Sequence, residues 1–358
     1  MYKHVIITWI KALTFQVIYN IICSRGTVFG KATTFAKLTD TSRSFLFEYP
    51  AKTTKTIERG FFKMKKQIFK GAATALITPM KDGKIDFDKY ALLIEDQIKN
   101  SIDALVVCGT TGESATLNDT EHRELIEYTV KQVNKRVPVI AGTGSNDTNY
   151  AIGLSTHACE MGVDGLLLVT PYYNKTTQRG IVKHFNAIAD RVTVPMIVYN
   201  VPSRTGLNIL PETYKELSYH ENIVAAKEAN GYISAVAETI HLCGDNLAVI
   251  SGDDDQTVPI MALGGTGVIS VLSNLLPYET HMICKYMLDG DVASAAREQL
   301  KYIPLIKALF CETNPIPVKA AMEALGFCTG ELRLPLAEIS DANREKLFAE
   351  MRNVGIKF

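Results

Sequence analysis

Eight short apolar runs recur along the chain without alternating with polar residues. They are "AATALIT" from Ala72, "DALVVCG" from Asp103, "VPVIAG" from Val137, "LLLV" from Leu166, "VPMIVYN" from Val194, "NIVAAKE" from Asn222, "LAVISG" from Leu247 and "GVISV" from Gly267. A strand with one wet face alternates, whereas an unbroken run reads as a strand covered on both sides, as in a parallel sheet. Between most consecutive runs the apolar spacing turns helical, as at Phe87, Tyr90, Ile94 and Ile98, or at Leu125, Tyr128 and Val133. The second of these stretches starts with Asn118, three residues before Glu121, which is the spacing of a capping box. An open doubly wound sheet usually has five or six strands, so eight strands alternating with helices predict a (β/α)8 TIM barrel. We expect the barrel over residues 66–290 and a C-terminal helical extension over 291–358.

Residues 1–63 have a different composition, with Lys31, Lys37, Lys52 and Lys55 set against only Asp40, Glu48 and Glu58 as acids. Their apolar stretch "VIITWIKALTFQVIYNIIC" is interrupted by Lys11, Gln16 and Asn20, which makes it poor as a membrane span, and it lacks a convincing small-residue cleavage site and has a thin basic n-region. The segment reads as a disordered N-terminal extension, with an organelle-targeting or membrane-surface segment as the alternative. An ordinary beginning, "MKKQIFKGAATALITP", starts at Met64.

Charge and cysteine content narrow the function classes. Thirty-eight basic residues balance 38 acidic ones, so there is no electrostatic case for a nucleic-acid partner. Seven cysteines, at 23, 108, 159, 243, 284, 311 and 328, form no C-x-x-C pair. Free thiols in a reducing, cytoplasmic setting are the expectation. The histidines are scattered, and Asp253-Asp254-Asp255 lacks the spaced oxygen ligands of a calcium loop, so no metal is expected.

Working residues of such barrels come from the carboxyl ends of the strands and the loops that follow. Strand ends here carry "GTTGES" (109–114), "TPYYN" (170–174), "YNVPSRTG" (199–206), Lys227 and "SGDDD" (251–255). Lys227 follows "IVAA" and should point into the barrel mouth, where burying an ammonium is costly. Lowering its pKa from about 10.4 by roughly three units would take about 4 kcal/mol, and desolvation can supply it. A neutral amine there attacks a ketone to form an imine, the entry to aldol-type chemistry. The competing reading pairs Lys227 with Glu228 or another carboxylate. Tyr199 ends the preceding strand and can act as an acid-base group, or can merely be packed. Thr110 and Thr111 could relay protons, and the glycines beside them would let backbone N–H groups approach a carboxylate. Arg204 offers a fork for a second carboxylate, or is a solvated loop residue.

Taken together, "GTTGES", "TPYYN", "YNVPSRTG" and "KEANG" on successive strands resemble the 4-hydroxy-tetrahydrodipicolinate synthases, also called dihydrodipicolinate synthases, from about residue 66 onward. The resemblance implies that Lys227 forms an imine with pyruvate, with no cofactor, and that Tyr199, Thr110 and Tyr173 form a proton relay. It implies that Thr111 holds the pyruvate carboxylate, that Arg204 meets L-aspartate 4-semialdehyde, and that the backbone at Gly252 and Ile269 lines the site. It also implies a homodimer or homotetramer in which Tyr173 reaches into a neighbouring copy. Ser114, Ala115, His122, Asn146 and Tyr172 match positions lining a cleft for L-lysine as an effector. Asp119 and Tyr150 depart from the pattern of lysine-sensitive members, a histidine and a glutamate, so a weak effector is expected. The alternatives are another pyruvate-dependent aldolase, such as an N-acetylneuraminate lyase or a keto-deoxy sugar acid aldolase, and a non-catalytic ligand-binding barrel. "PSRTG" offers an arginine where sugar hydroxyls would need other partners.

Overall fold

The computed structural model describes residue 65 and residues 67–358. The expected extension over 1–63 lies outside the described residues. All eight apolar runs form strands: β1 (Gly71–Ala75), β2 (Ala104–Val107), β3 (Val139–Gly142), β4 (Gly165–Val169), β5 (Met196–Asn200), β6 (Ile223–Glu228), β7 (Ala248–Ser251) and β8 (Gly267–Ser270). They pair in parallel, each with the next, and β1 closes the ring on β8. Several strands are shorter than the apolar runs. The strand from "AATALIT" ends at Ala75, and Leu76, Ile77 and Thr78 after it stay buried.

Strand parity sorts the side chains into two layers. Ala73, Val106, Ile140, Leu167, Ile197 and Ile250 fill the inside of the barrel. Their chain neighbours, such as Ala72, Leu105, Leu166 and Val198, face the surrounding helices. Those helices start where the polar caps stand. Asn118 and Glu121 form the expected capping box at Asp119–Val133, each side chain bonded at 3.0 Å to the other's backbone N–H. Asp86 caps Phe87–Lys99 by accepting from Lys89 N.

Beyond the barrel the chain continues through helices Val292–Leu309, Ile316–Ala324 and Asp341–Asn353. The C-terminal part folds back onto the barrel mouth. Arg333 donates both guanidinium arms to Glu121 at 2.6 Å, and also to the carbonyls of Thr116 and Gly83. Among the described residues no helix is long and apolar enough to cross a membrane.

Candidate active site

Tyr199 on β5 and Lys227 on β6 are register partners of equal parity, so both enter the barrel at the same height. The ammonium nitrogen lies 4.2 Å from the centre of the phenol ring. Lys227 is 6% exposed and Tyr199 7%. Burial draws the lysine pKa down to about 8, opposed by Asp253 and Asp254 and assisted by Arg204. Burial moves the phenol the other way, far above its usual value, so Tyr199 keeps its proton and can donate it. Glu228 is not the partner of Lys227. It has the opposite parity and turns outward, where Asn200 and Tyr214 bind it.

A cavity of about 140 Å3 stands over the amine. Thr110, Thr111, Tyr199, Arg204 and Gly252 all line it, as do Asp253 and Asn314. Gly252 is required by space, since a Cβ there would sit 2.8 Å from Ala229 Cβ and 3.2 Å from Lys227 Cε. Ile269 belongs to the filling of the barrel below, and Val271 is the nearby residue that lines the cavity. Asp253, in the "SGDDD" strand end, comes into the site beside the amine. Its carboxyl is pushed up to about 6, first by burial and then by Asp255, against the pull of Lys227. Among the described residues no cluster of three or more His, Cys, Asp or Glu side chains could hold a metal ion.

The threonine turn owes its shape to residues far away in the chain. Its left-handed positions are Cys108 (φ 54°) and Glu113 (φ 56°), not the glycines. Glu113 is held by a fully buried ion pair with Lys319 at 2.6 Å, and its other oxygen accepts from Arg333 N at 3.1 Å. Thr111 is buried, and its hydroxyl accepts from Asn314 Nδ2 at 3.0 Å. The carbonyl of Asn314 in turn accepts from Arg204 at 3.3 Å. Asn314 therefore spans the two residues expected to hold carboxylates.

This geometry has close counterparts. The sequence matches the dihydrodipicolinate synthetase family over residues 68–354. It is 52% identical to the 4-hydroxy-tetrahydrodipicolinate synthase of Acetivibrio thermocellus over 293 residues, 82% of this chain and 100% of that one. The chain belongs to the dihydrodipicolinate synthetase family. Among solved structures, it resembles a chloride-inhibited dihydrodipicolinate synthase from Acinetobacter baumannii complexed with pyruvate, at 40% identity and a TM-score of 0.80, covering 81% of this chain and all of that one. It also resembles the Cyanidioschyzon merolae synthase with lysine bound, at 40% identity and a TM-score of 0.79, covering 82% and 100%.

The positions expected of an effector cleft in this family gather beside the lysine cavity. Ser114, Ala115, His122, Tyr150, Tyr172 and Tyr173 line a second cavity of about 650 Å3, and Thr110, Arg204 and Asn314 border both. Asn146 lines a neighbouring pocket and donates to the Tyr172 carbonyl at 3.4 Å. Asp119 lines neither cavity. Its carboxylate accepts from the Tyr150 hydroxyl at 3.1 Å and pairs with Arg123 at 2.9 Å. His122 is buried and turns Nε2 toward the Gly142 carbonyl at 2.8 Å. Tyr173 does not line the cavity that holds Lys227, and it stands 93% exposed at φ 67°. Sequence reasoning missed Asn314, Glu113 and Lys319. Glu113 lies within the "GTTGES" stretch, and a lone lysine in the otherwise apolar "IPVKAAM" was a local sign of Lys319.

Proposed function

We propose that Lys227 is the Schiff-base lysine of a 4-hydroxy-tetrahydrodipicolinate synthase that condenses pyruvate with L-aspartate 4-semialdehyde. The observation that carries this reading is a buried amine with a pKa near 8, set against a protonated phenol in a small cavity walled by two threonines. The neutral amine attacks the keto carbon of pyruvate, and loss of water leaves a protonated imine. Thr111 and the adjoining backbone hold the pyruvate carboxylate. Losing a methyl proton from the imine gives an enamine, whose carbon attacks the aldehyde, and the product is released after cyclisation. Tyr199, Thr110 and Tyr173 move the protons, and Arg204 receives the carboxylate of the aldehyde substrate. The reaction draws on no cofactor beyond the covalent imine.

A homo-oligomer completes this site. Its support is the exposed, left-handed Tyr173 beside a half-exposed Tyr172, an arrangement suited to a neighbouring copy. Lysine is assigned as a weak effector at the second cavity, since Asp119 is already engaged. The six described cysteines are free thiols, in keeping with a reducing, cytoplasmic setting. Residues 1–63 are assigned as an extension to a catalytic barrel over 66–290 and C-terminal helices over 291–358.

Two assays on the full chain test the reading. Incubation with pyruvate and borohydride should add a three-carbon adduct to the peptide containing Lys227. A coupled assay should show turnover with L-aspartate 4-semialdehyde and none with N-acetylneuraminate. An adduct on Lys175 or Lys319 in place of Lys227 would overturn it.

A further inference from the structure

We propose that Glu228 is a positioning residue for Lys227, acting from outside the barrel by clamping together the segments that carry Lys227, Tyr199 and Arg204. The inference rests on the reading of Lys227 as the imine-forming amine.

The register that puts Tyr199 beside Lys227 inside the barrel puts Asn200 beside Glu228 on its outer face. Glu228 is 3% exposed and receives neutral donors at both oxygens. Oε1 accepts from Asn200 Nδ2 at 2.9 Å and from Asn230 N at 3.0 Å. Oε2 accepts from the Tyr214 hydroxyl at 2.9 Å and from Asn200 Nδ2 at 3.2 Å. Asn200 then extends the clamp into the segment that follows the short helix Pro202–Thr205, which bears Arg204. Its Nδ2 donates to Asn208 Oδ1 at 2.8 Å, and its Oδ1 accepts from Ile209 N at 3.1 Å. One carboxylate thus joins β5 and β6, through Asn200 the 201–209 segment and, through Tyr214, the helix Pro211–Leu217.

No cation accompanies this buried acid among its hydrogen-bond partners. Burial pushes its carboxyl up to about 7, and the bonds from Asn200 and Tyr214 oppose that rise. A carboxylate is suited to the place because it accepts at both ends and donates at neither. The consequence for chemistry is geometric. Lys227 and Tyr199 must share one height for the amine, the carbonyl and the phenol to meet, and small misplacements of reacting groups carry large rate losses.

The test uses the full chain with Glu228→Gln, which keeps the shape but turns one oxygen into a donor facing Asn200 Nδ2 or Tyr214. Tyr214→Phe serves as a control that removes an outer bond and leaves the Asn200 contact intact. At saturating pyruvate, Glu228→Gln should trap the borohydride adduct roughly tenfold or more slowly, with KM for pyruvate within about twofold, at a temperature where circular dichroism shows both variants fully folded. Tyr214→Phe should lower the melting temperature while trapping at close to the normal rate. Normal trapping by Glu228→Gln would overturn the proposal, as would an equal loss in Tyr214→Phe, which would mark a general packing effect. If Glu228→Gln does not fold, Glu228→Asp, which retains the charge and shortens the reach, is read by the same criteria. Absence of any Lys227 adduct in the unmodified protein would instead refute the imine reading itself.

Discussion

The pH dependence of imine trapping tests the electrostatics of the site most directly. Lys227 is held at about 8 instead of 10.5. The difference corresponds to about 3 kcal/mol of destabilised charge. At pH 7.5 an ordinary lysine is neutral in about one molecule per thousand, whereas one at about 8 is neutral in roughly a quarter. The structure therefore gives the amine a gain on the order of 200-fold in reactive form. Because the neutral form attacks, the initial rate of adduct formation should rise with pH and level off above a midpoint near 8. The neighbours set the sign of two further shifts. Asp253 favours the ammonium, so Asp253→Asn should move the midpoint down. Arg204 disfavours it, so Arg204→Ala should move the midpoint up, by less because that side chain is exposed. Rates would be followed by mass spectrometry after timed cyanoborohydride quenching, each variant normalised to its own plateau. A midpoint near 10 in the unmodified protein, or shifts of the same sign in both variants, would refute the argument.

Four other outcomes are expected. Mixing inactive Lys227→Ala and Tyr173→Phe chains should restore part of the activity through hybrid oligomers, and hybrids that form without complementation would place the relay within one chain. Lys319→Met leaves the Glu113 carboxylate buried without its cation. It should cost about 3 to 5 kcal/mol in urea denaturation, and a smaller loss would show that the carboxylate finds another partner. A chain starting at Met64 should match the full chain in melting temperature and turnover. One starting at Gln67 should melt about 2 to 5 °C lower, because Lys65 donates to the Ser218, His220 and Ile223 carbonyls at 2.5 to 2.8 Å. L-lysine titrated at fixed pyruvate should reach half-inhibition only above about a millimolar, since Tyr150 already occupies the Asp119 carboxylate. Inhibition at lower concentration would show that the tyrosine recognises the effector directly.

The fold was legible because parallel strands covered on both faces leave unbroken apolar runs, and all eight such runs became strands. The strand-end rule also pointed to Thr110, Thr111, Tyr199, Arg204 and Lys227, all of which line one cavity, whereas the shared register of Tyr199 and Lys227 came from the folded sheet. Local pattern could not supply the rest. Asn314 meets Thr111 across 203 residues, and Lys319 meets Glu113 across 206. Contacts of that separation leave no periodicity in either segment. The pairing of Tyr150 with Asp119 likewise arises between helices. Parity could exclude Glu228 as the partner of Lys227, but only the packed helix and loop reveal which donors surround it. The lysine pKa was a requirement in the sequence and became a property only when the closed barrel removed water from the amine, because desolvation depends on enclosure from all sides.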